Sequence, residues 1–469
     1  MLLEDFLLIY VLVHWVVHCH QNFYYLYNMK NNSTQIENTL QSMGIETLNA
    51  MQLATLDANE KEKDMILLSP TGSGKTLAYL LPVFMSMNPE CAKVQALILA
   101  PSRELAQQIE QVWRSMSTGF KVNTCFGGRP SNGEKRDLAV PPAVLIGTPG
   151  RLQDHVERGN FDVTDIKVLV LDEFDKSLEM GFTEQMEAII SRIPNLKKRI
   201  LTSATDAVSI PAFTGIQNPI KLDYSEKDNK LKGLKTFQVK GKNNDKMDLV
   251  YQLLCYLGND STLIFCNQRE TVEKVSAYLA ERRVANEFFH GKLEQPDRER
   301  ALSKFRNGSC TVFISTDLAS RGLDIPEIKN IIHFDAPVRV DEYVHRNGRT
   351  ARMEAEGSAF MLLTEKEELP EFITPQPVVL ALPALASMPP KPDWATLYIG
   401  KGKKDKLSKM DIVGFMFKKG QLAKDELGMV EVKEYYSFVA IKVSKVNEVL
   451  RLVANEKIKN MKVRIELAE

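Results

Sequence analysis

The stretch SPTGSGKT, Ser69–Thr76, lies between the apolar run MILL (Met65–Leu68) and LAYLLPVF (Leu77–Phe84), which has the pattern of a helix. Strand, glycine-rich loop and helix are the setting that a phosphate-binding loop requires. Gly72 and Gly74 let the backbone curl until successive N–H groups point at phosphate oxygens, so Thr71, Gly72, Ser73 and Gly74 are the candidate cradle. The helix that follows adds its positive end. Lys75 is placed to reach the β and γ phosphates, and the Thr76 hydroxyl to ligate Mg²⁺. The first glycine of the usual pattern is replaced by Ser69, so the loop read alone is open to being a chance match.

Outward from the loop, Thr34 to Tyr224 alternates short aliphatic runs with helical stretches. Candidate strands are ALILA (Ala96–Ala100), AVLIG (Ala143–Gly147), VLVLDE (Val168–Glu173) and RILTSA (Arg199–Ala204). Continuous apolar strands spaced by helices predict a parallel sheet covered on both faces. After the polar join SEKDNKLKG (Ser225–Gly233) the pattern repeats, with STLIFC (Ser261–Cys266), TVFIST (Thr311–Thr316), IIHFD (Ile331–Asp335) and SAFMLL (Ser358–Leu363). This second α/β half has no glycine-rich loop of its own.

Bulk properties bound the answer. A chain of 469 residues calls for more than one core, and its composition is that of a globular protein, 44% hydrophobic and 26% charged. Formal net charge is zero, so any nucleic-acid signal must come from charge distribution. None of the six cysteines forms a C-x-x-C pair, which suggests scattered reduced thiols in a cytoplasmic protein rather than zinc or disulfides. The apolar run Phe6–Val17 is too short for a membrane span and lacks a basic leader and a cleavage site. Residues 1–28 are therefore expected to be an extension outside the working fold, and no membrane partner is expected.

A phosphate loop calls for an acidic strand end nearby, and VLVLDEFD (Val168–Asp175) supplies one. At the carboxyl edge of a parallel sheet Asp172 is suited to Mg²⁺ and Glu173 to orienting the attacking water. Alone, two acids after a strand are equally an ordinary turn. In the second half, YVHRNGRTAR (Tyr343–Arg352) clusters three arginines. Guanidinium groups stabilise charge on a transferring phosphoryl group, although most such clusters are solvated basic faces.

Taken together and in order, these segments resemble the DEAD-box RNA helicases over roughly residues 34–368. SPTGSGKT, PSRELAQQ (Pro101–Gln108), Gly127-Gly128, TPGR (Thr148–Arg151), DEFD and Ser203-Ala204-Thr205 match the first half of the family's motif set. LIFCNQRE (Leu263–Glu270), Gln295 with Arg298, STDLASRGLDI (Ser315–Ile325) and HRNGRTAR match the second. The resemblance implies ATP and Mg²⁺ as cofactors. It implies catalytic roles for Lys75, Asp172, Glu173, Arg349 and Arg352, with the arginines completing a site split between two domains. Gly322 and Asp324 are expected near the nucleotide. Asp175, Ser203, Thr205 and His345 are expected to couple hydrolysis to strand separation. Arg103, Gly128, Thr148, Arg151, Arg298 and Thr316 are expected on RNA phosphates and 2′-hydroxyls, contacts that are sequence-independent but distinguish RNA from DNA.

Three departures from the family pattern stand out. Phe174 replaces an alanine, Asn347 an apolar residue, and Leu48-Asn49-Ala50 the usual Pro-Thr-Pro of the adenine-reading element. That element keeps Ile45, expected to lie on the base, and Gln52, whose amide is suited to the N6 and N7 edge of adenine. Weaker stacking on the base is expected.

The C-terminal stretch differs in kind. After a proline-rich join, residues 391–469 carry 17 Lys/Arg against 11 Asp/Glu. The predicted order is TLYIG (Thr396–Gly400), helix Lys409–Gly420, GMVEVKEY (Gly428–Tyr435), YSFVAIKV (Tyr436–Val443), helix Lys445–Asn455 and KVRIEL (Lys462–Leu467). That βαββαβ order suits a small open sheet backed by two helices. Tyr398, Tyr436 and Phe438 fall on one face, where they would stack on unpaired bases or equally form core. A structural module and a protein-docking module are the competing readings. LYIGKGKKDKLSKMDIVGF (Leu397–Phe415) resembles the C-terminal domain of DbpA-type helicases, which implies binding to structured ribosomal RNA and pre-ribosomal particles.

The expected fold is thus α/β: two tandem RecA-like domains plus a small α+β RRM-like domain. The boundaries are 29–225, 226–368, a proline-rich linker at 369–392, and 393–469. The expected function is ATP-dependent remodelling of RNA duplexes in large-subunit ribosome assembly. An ATP-binding RNA clamp with poor turnover and a DNA translocase are the alternatives. Intact Lys75, Glu173 and Arg349 argue against the first, and the motif set with its tail against the second.

Overall fold

The computed structural model describes residues 35–468 apart from 62, 71, 129–130, 205–208, 226–232, 242–244, 318–327, 351–355 and 384–386. The chain divides into two compact units at Glu226/Lys227.

The first unit is built on a seven-stranded parallel sheet. In chain order its strands are β1 (Met65–Leu68), β2 (Ala96–Leu99), β3 (Val122–Cys125), β4 (Val144–Gly147), β5 (Val168–Leu171), β6 (Lys198–Ser203) and β7 (Ile220–Asp223). In space they run β3-β4-β2-β5-β6-β1-β7. Strands β2, β4 and β5 are buried at every residue, because helices cover both faces of the sheet. One face packs Leu80, Ile98, Trp113, Ile146 and Val170 into a core; the other packs Leu97, Leu145, Leu169 and Met186. Phe174 is 3% exposed in that second core, so the departure from alanine is absorbed as packing. With all strands parallel, the segments after β1, β2, β3, β4 and β5 emerge at one edge. The phosphate loop, Arg103, Gly128, Thr148 and Asp172 lie on those segments.

The second unit begins with an analogous sheet. Its strands are β8 (Leu234–Lys240), β9 (Thr262–Phe265), β10 (Asn286–Phe289), β11 (Val312–Ser315), β12 (Asn330–His333), β13 (Gly357–Leu363) and β14 (Val378–Val379), ordered β10-β11-β9-β12-β13-β8-β14. Strand β14 lies inside the stretch expected to be a linker. It pairs with β8, Gln238 Nε2 donates to the Pro377 carbonyl at 3.0 Å, and Ile373 is buried. That stretch is in part a strap on the sheet edge.

The tail completes the second unit. Strands β15 (Trp394–Ile399), β16 (Leu427–Val432), β17 (Ser437–Lys442) and β20 (Ile465–Leu467) form an antiparallel sheet ordered β16-β17-β15-β20. A hairpin of β18 (Lys457–Ile458) and β19 (Met461–Lys462) precedes β20. Leu397, Ile399, Val439 and Ile441 face the helices Lys409–Lys418 and Val446–Val453, burying Ile412, Met416, Val449 and Val453. Ser408 and Asp411 cap the first of these helices reciprocally. The expected βαββαβ order is present, with the hairpin added.

Candidate active site and RNA-facing residues

The phosphate loop is held from behind. The helix Lys75–Met85 starts at Gly74, whose φ is +89°, a conformation open to glycine at little cost. A Cβ there would also come within 2.7 Å of Gln52 Nε2. Ser69, in place of the usual glycine, is 1% exposed and donates through Oγ to Ser73 Oγ at 2.6 Å. Its N–H donates to the Ser203 carbonyl at 3.0 Å. The replacement therefore adds a bond across the base of the loop.

The divergent adenine-reading element is structurally intact. Asn49 caps the helix Ala50–Glu60: its Oδ1 accepts from the Gln52 N–H at 2.9 Å, and Gln52 Oε1 accepts from the Asn49 N–H at 2.9 Å. Asn49 Nδ2 donates to the Ser73 carbonyl at 3.0 Å, and Gln52 Nε2 to the Gly74 carbonyl at 3.3 Å. The asparagine thus caps the helix and steadies the loop at once. Each polar atom of the Gln52 amide makes one of its two bonds, which leaves a second donor and a second lone pair for a base. Ile45 packs at the margin of the first core.

Asp172 is held by two hydroxyls that the sequence reading missed. Tyr79 donates to Oδ2 at 2.9 Å and Thr202 to Oδ1 at 2.5 Å. Burial, then the Asp172 charge, pushes the Tyr79 hydroxyl well above its ordinary pKa, so it stays a donor. Glu173 sits at φ +45°, and its N–H points at both Asp172 Oδ1 and Thr202 Oγ1 at 3.1 Å. A left-handed non-glycine residue between a strand and a helix is strained and marks a functional turn. Tyr79 is three residues beyond Thr76 on one helix face, and Thr202 directly precedes Ser203; those spacings were the available signals. Lys75 Nζ is buried and has no hydrogen-bond partner among the described residues. A buried ammonium in this state implies a missing anion. Lys75, Thr76, Asp172 and Glu173 together therefore fit a nucleotide phosphate with its divalent ion. Asp175 is buried, with Oδ2 3.5 Å from Lys176 Nζ, and Ser203 ends β6.

Farther along the same sheet edge are the expected RNA contacts. Gly128, at φ +92°, lies over Arg103: a Cβ there would meet the guanidinium Nη1 at 2.5 Å. Thr148 precedes the helix Pro149–Glu157, which carries Arg151. Glu134, which the sequence reading passed over, is 4% exposed and anchors that helix. Its Oε2 lies 2.9 Å from Arg151 Nε and 2.9 Å from His155 Nε2, and its Oε1 accepts from the Phe126 N–H at 3.2 Å. Asn160 Nδ2 is 2.9 Å from His155 Nδ1. Cys125 closes the cluster, with thiol, carboxylate and imidazole atoms within 4.8 Å of one another. The adjoining guanidinium opposes a cation there, so the group is a buried polar cluster in which Glu134 bonds His155 and forms an ion pair with Arg151.

In the second unit Arg346 is fully buried and ties three strand ends together. It pairs with Asp317 after β11 at 2.6 Å and donates to Asn267 Oδ1 after β9 and to the Asp335 carbonyl after β12, each at 2.7 Å. The unusual Asn347 has a partner in His333, its Oδ1 lying 3.0 Å from His333 Nε2. Burial, helped by the Arg346 charge, lowers the His333 pKa to about 3, so the ring is neutral. His345 and Arg349 are buried at the end of the same segment. Arg298 stacks its guanidinium over Phe289 at 4.9 Å, and Thr316 follows β11. Thr71, Thr205, Gly322, Asp324 and Arg352 lie outside the described residues, as do residues 1–28.

A phosphate loop and an acidic strand end on one RecA-like sheet, then a second such sheet and a basic tail, are the parts of a nucleic-acid-dependent ATPase. The DEAD/DEAH box helicase family matches residues 49–210, the helicase conserved C-terminal domain 245–354, and the DbpA RNA binding domain 396–467. The ATP-dependent RNA helicase DbpA of Escherichia coli is 30% identical over 439 residues, covering 91% of this chain and 96% of its own. DbpA of Bacillus subtilis is 29% identical over 468 residues, covering 93% and 98%. Among solved structures, Saccharomyces cerevisiae Dbp5 bound to RNA and ADP BeF3 superposes with a TM-score of 0.63 at 27% identity, over 71% of this chain and 88% of that one. The chain belongs to the DEAD-box ATP-dependent RNA helicases and is DbpA-like, with a C-terminal RNA-binding domain. It uses ATP, which it hydrolyses, and it binds RNA. No helix among the described residues is long and apolar enough to cross a membrane.

Proposed function

We propose that this helicase remodels structured ribosomal RNA during large-subunit assembly, with pre-ribosomal particles as its partners. The observation that carries this reading is the basic C-terminal domain, matched over 396–467 to the DbpA RNA binding domain. The helicase units act on RNA through sugar and phosphate contacts that carry no sequence, so a target must be chosen by the tail. The free thiols among the described cysteines suit a reducing cytoplasm.

At the active site Lys75 binds the terminal phosphates, Thr76 and Asp172 hold Mg²⁺, and Glu173 orients and deprotonates the attacking water. Tyr79 and Thr202 keep the Asp172 carboxylate turned for its task by occupying one lone pair on each oxygen. Mg²⁺ supplies charge neutralisation to the phosphates. Arg349 and Arg352 stabilise charge on the transferring phosphoryl group. Gly322 and Asp324 bind nucleotide, while Asp175, Ser203, Thr205 and His345 couple turnover to RNA. Arg103, Gly128, Thr148, Arg151, Arg298 and Thr316 grip the RNA backbone.

The test is the ATPase rate of the full chain with no nucleic acid, generic RNA, DNA and large-subunit ribosomal RNA. Ribosomal RNA is expected to stimulate at the lowest concentration and DNA not at all. Equal stimulation by every RNA would end the targeting reading.

A further inference from the structure

The tail sheet has two faces, and only one meets its own helices. Leu397, Ile399, Val439 and Ile441 point into that core. The alternate residues Trp394, Thr396 and Tyr398 on β15 and Phe438 and Ala440 on β17 form the opposite face, with Tyr398 paired to Phe438 and Thr396 to Ala440. An open face would leave these residues wet. Instead Thr396 and Phe438 are each 2% exposed and Ala440 is fully buried. The covering element is the helix Gln295–Arg306 with the turn that follows it. Tyr436 donates its hydroxyl to Glu299 Oε2 at 2.9 Å. Asn307 Nδ2 donates to Thr396 Oγ1 at 2.7 Å, and Thr396 donates to Ser309 Oγ at 2.8 Å. Arg306 lies 3.8 Å from Glu431, and Trp394 packs against Gly308. Tyr398, Tyr436 and Phe438 touch one another with ring centroids 5.4 to 6.0 Å apart, so the aromatic cluster is closed on itself beneath Glu299.

We propose that the aromatic face of the tail sheet is a docking surface for the helix Gln295–Arg306, and that it joins the tail to the helix that carries Arg298 instead of stacking on bases. Two features support a specific joint. Two neutral hydrogen bonds, one hydrogen bond to the Glu299 carboxylate and one ion pair cross it, which fixes a register that apolar contact alone would leave loose. Glu299, the acceptor of the Tyr436 hydroxyl, also accepts from Gln295 through its other oxygen at 2.9 Å and directly follows Arg298. Binding events at the tail thereby bear on the segment proposed to grip RNA in the second unit. That last step rests on the RNA role proposed for Arg298; the docking itself does not.

The experiment is hydrogen exchange on the full chain, read at residues 295–309, 394–398 and 436–440, for wild type, Tyr436→Phe, Glu299→Ala and the double variant, with and without ribosomal RNA. Each single variant is expected to speed exchange on both sides of the joint together, by about tenfold, the effect of losing one hydrogen bond to a charged group. The double variant should add little to either. RNA should leave protection at all three stretches in place. The proposal is overturned if the variants affect one side only, or if RNA protects 436–440 while exposing 295–309, since bases would then be displacing the helix. RNA stimulation of the wild-type ATPase, measured in parallel, tests the functional reading separately: its absence would sink that reading and leave the docking result standing.

Discussion

Replacing Glu134 by glutamine tests whether the edge proposed to grip RNA is organised by a residue outside the helicase motifs. The carboxylate serves three neighbours: it pairs with Arg151 and bonds His155 Nε2 and the Phe126 N–H. An amide of the same shape has one oxygen, so it cannot serve all three. The least costly arrangement keeps the oxygen on the Phe126 N–H and turns the NH₂ towards His155. The imidazole accommodates this by moving its proton to Nδ1, where Asn160 accepts it once its own amide flips. Arg151 loses its close ion pair with Glu134 and keeps the longer one to Asp154 at 3.8 Å. Breaking an ion pair costs about 0.2–1 kcal/mol at the surface and about 3–5 kcal/mol in the interior; with Arg151 16% exposed and Asp154 still in reach, an intermediate loss is expected. For a unit of this size roughly 2 kcal/mol lowers the melting temperature by about 4–8 °C. The guanidinium also loses part of its orientation, so the RNA concentration for half-maximal ATPase should rise severalfold while the saturated rate holds. Differential scanning calorimetry and an RNA titration of the ATPase give both numbers. An unchanged half-saturation at unchanged stability would refute the anchoring argument. A lowered melting point with unchanged half-saturation would refute the link from Glu134 to RNA.

Thr202→Val keeps the shape of the side chain but removes the donor to Asp172 and an acceptor of the Glu173 N–H; turnover should fall at least tenfold, with stability down by about 1–3 kcal/mol, and an ATPase rate near wild type would count against it. Glu173→Gln should lower turnover by roughly 10²–10⁴-fold while RNA and ATP still bind, as filter binding with a nucleotide chase would show. Buried neutral His333 must give pH-dependent stability. Its folded pKa is lowered to about 3 against about 6.5 unfolded, so the unfolded chain binds the extra proton between those values. The stabilisation is present in full above about pH 6.5 and drains away as pH falls towards 3, by at most about 1.4 kcal/mol per unit. Urea titrations across that range should show a shallower dependence for His333→Leu combined with Asn347→Leu.

Interior strands were legible because burial on both faces writes them as apolar runs: ALIL, VLIG, VLVL, TLIF and VFIS are buried at every residue. The strands that sequence reading passed over are largely those at sheet edges. VNTC, IKLD, NEFF and VV occupy β3, β7, β10 and β14, the four outer positions of the two parallel sheets. An edge strand needs cover on fewer sides, so its composition drifts towards that of a loop. The proline-rich strap hid for the same reason: proline is tolerated around an edge, and only two valines pair there. Motif residues were legible since they sit on strand-end loops at fixed spacing. Their supports were not. Tyr79 meets Asp172 across 93 positions and Thr202 across 30, and Glu134 reaches Arg151 and His155 from another helix. Nothing local in the chain announces such pairs; they appear only when parallel strands bring their carboxyl ends to one edge.

The two departures that looked like defects in the motifs instead follow a single rule. In each, an asparagine stands in place of the family's usual residue, and in each the chain provides it with a partner. Asn49 replaces the threonine of the adenine-reading element and still caps its helix, while its longer amide reaches the Ser73 carbonyl as well. Asn347 replaces an apolar residue opposite His333, a buried ring whose Nε2 would be stranded by a hydrocarbon neighbour. An unmade bond at a buried nitrogen costs about 1–3 kcal/mol. Replacing Asn347 alone by leucine should therefore destabilise the second unit, even though an apolar residue is the usual one at that position. The same replacement combined with His333→Leu should recover most of the loss. Histidine and asparagine act as one hydrogen-bonded pair, and Arg346, 3.4 Å from the other nitrogen of His333, ties that pair to the arginine segment.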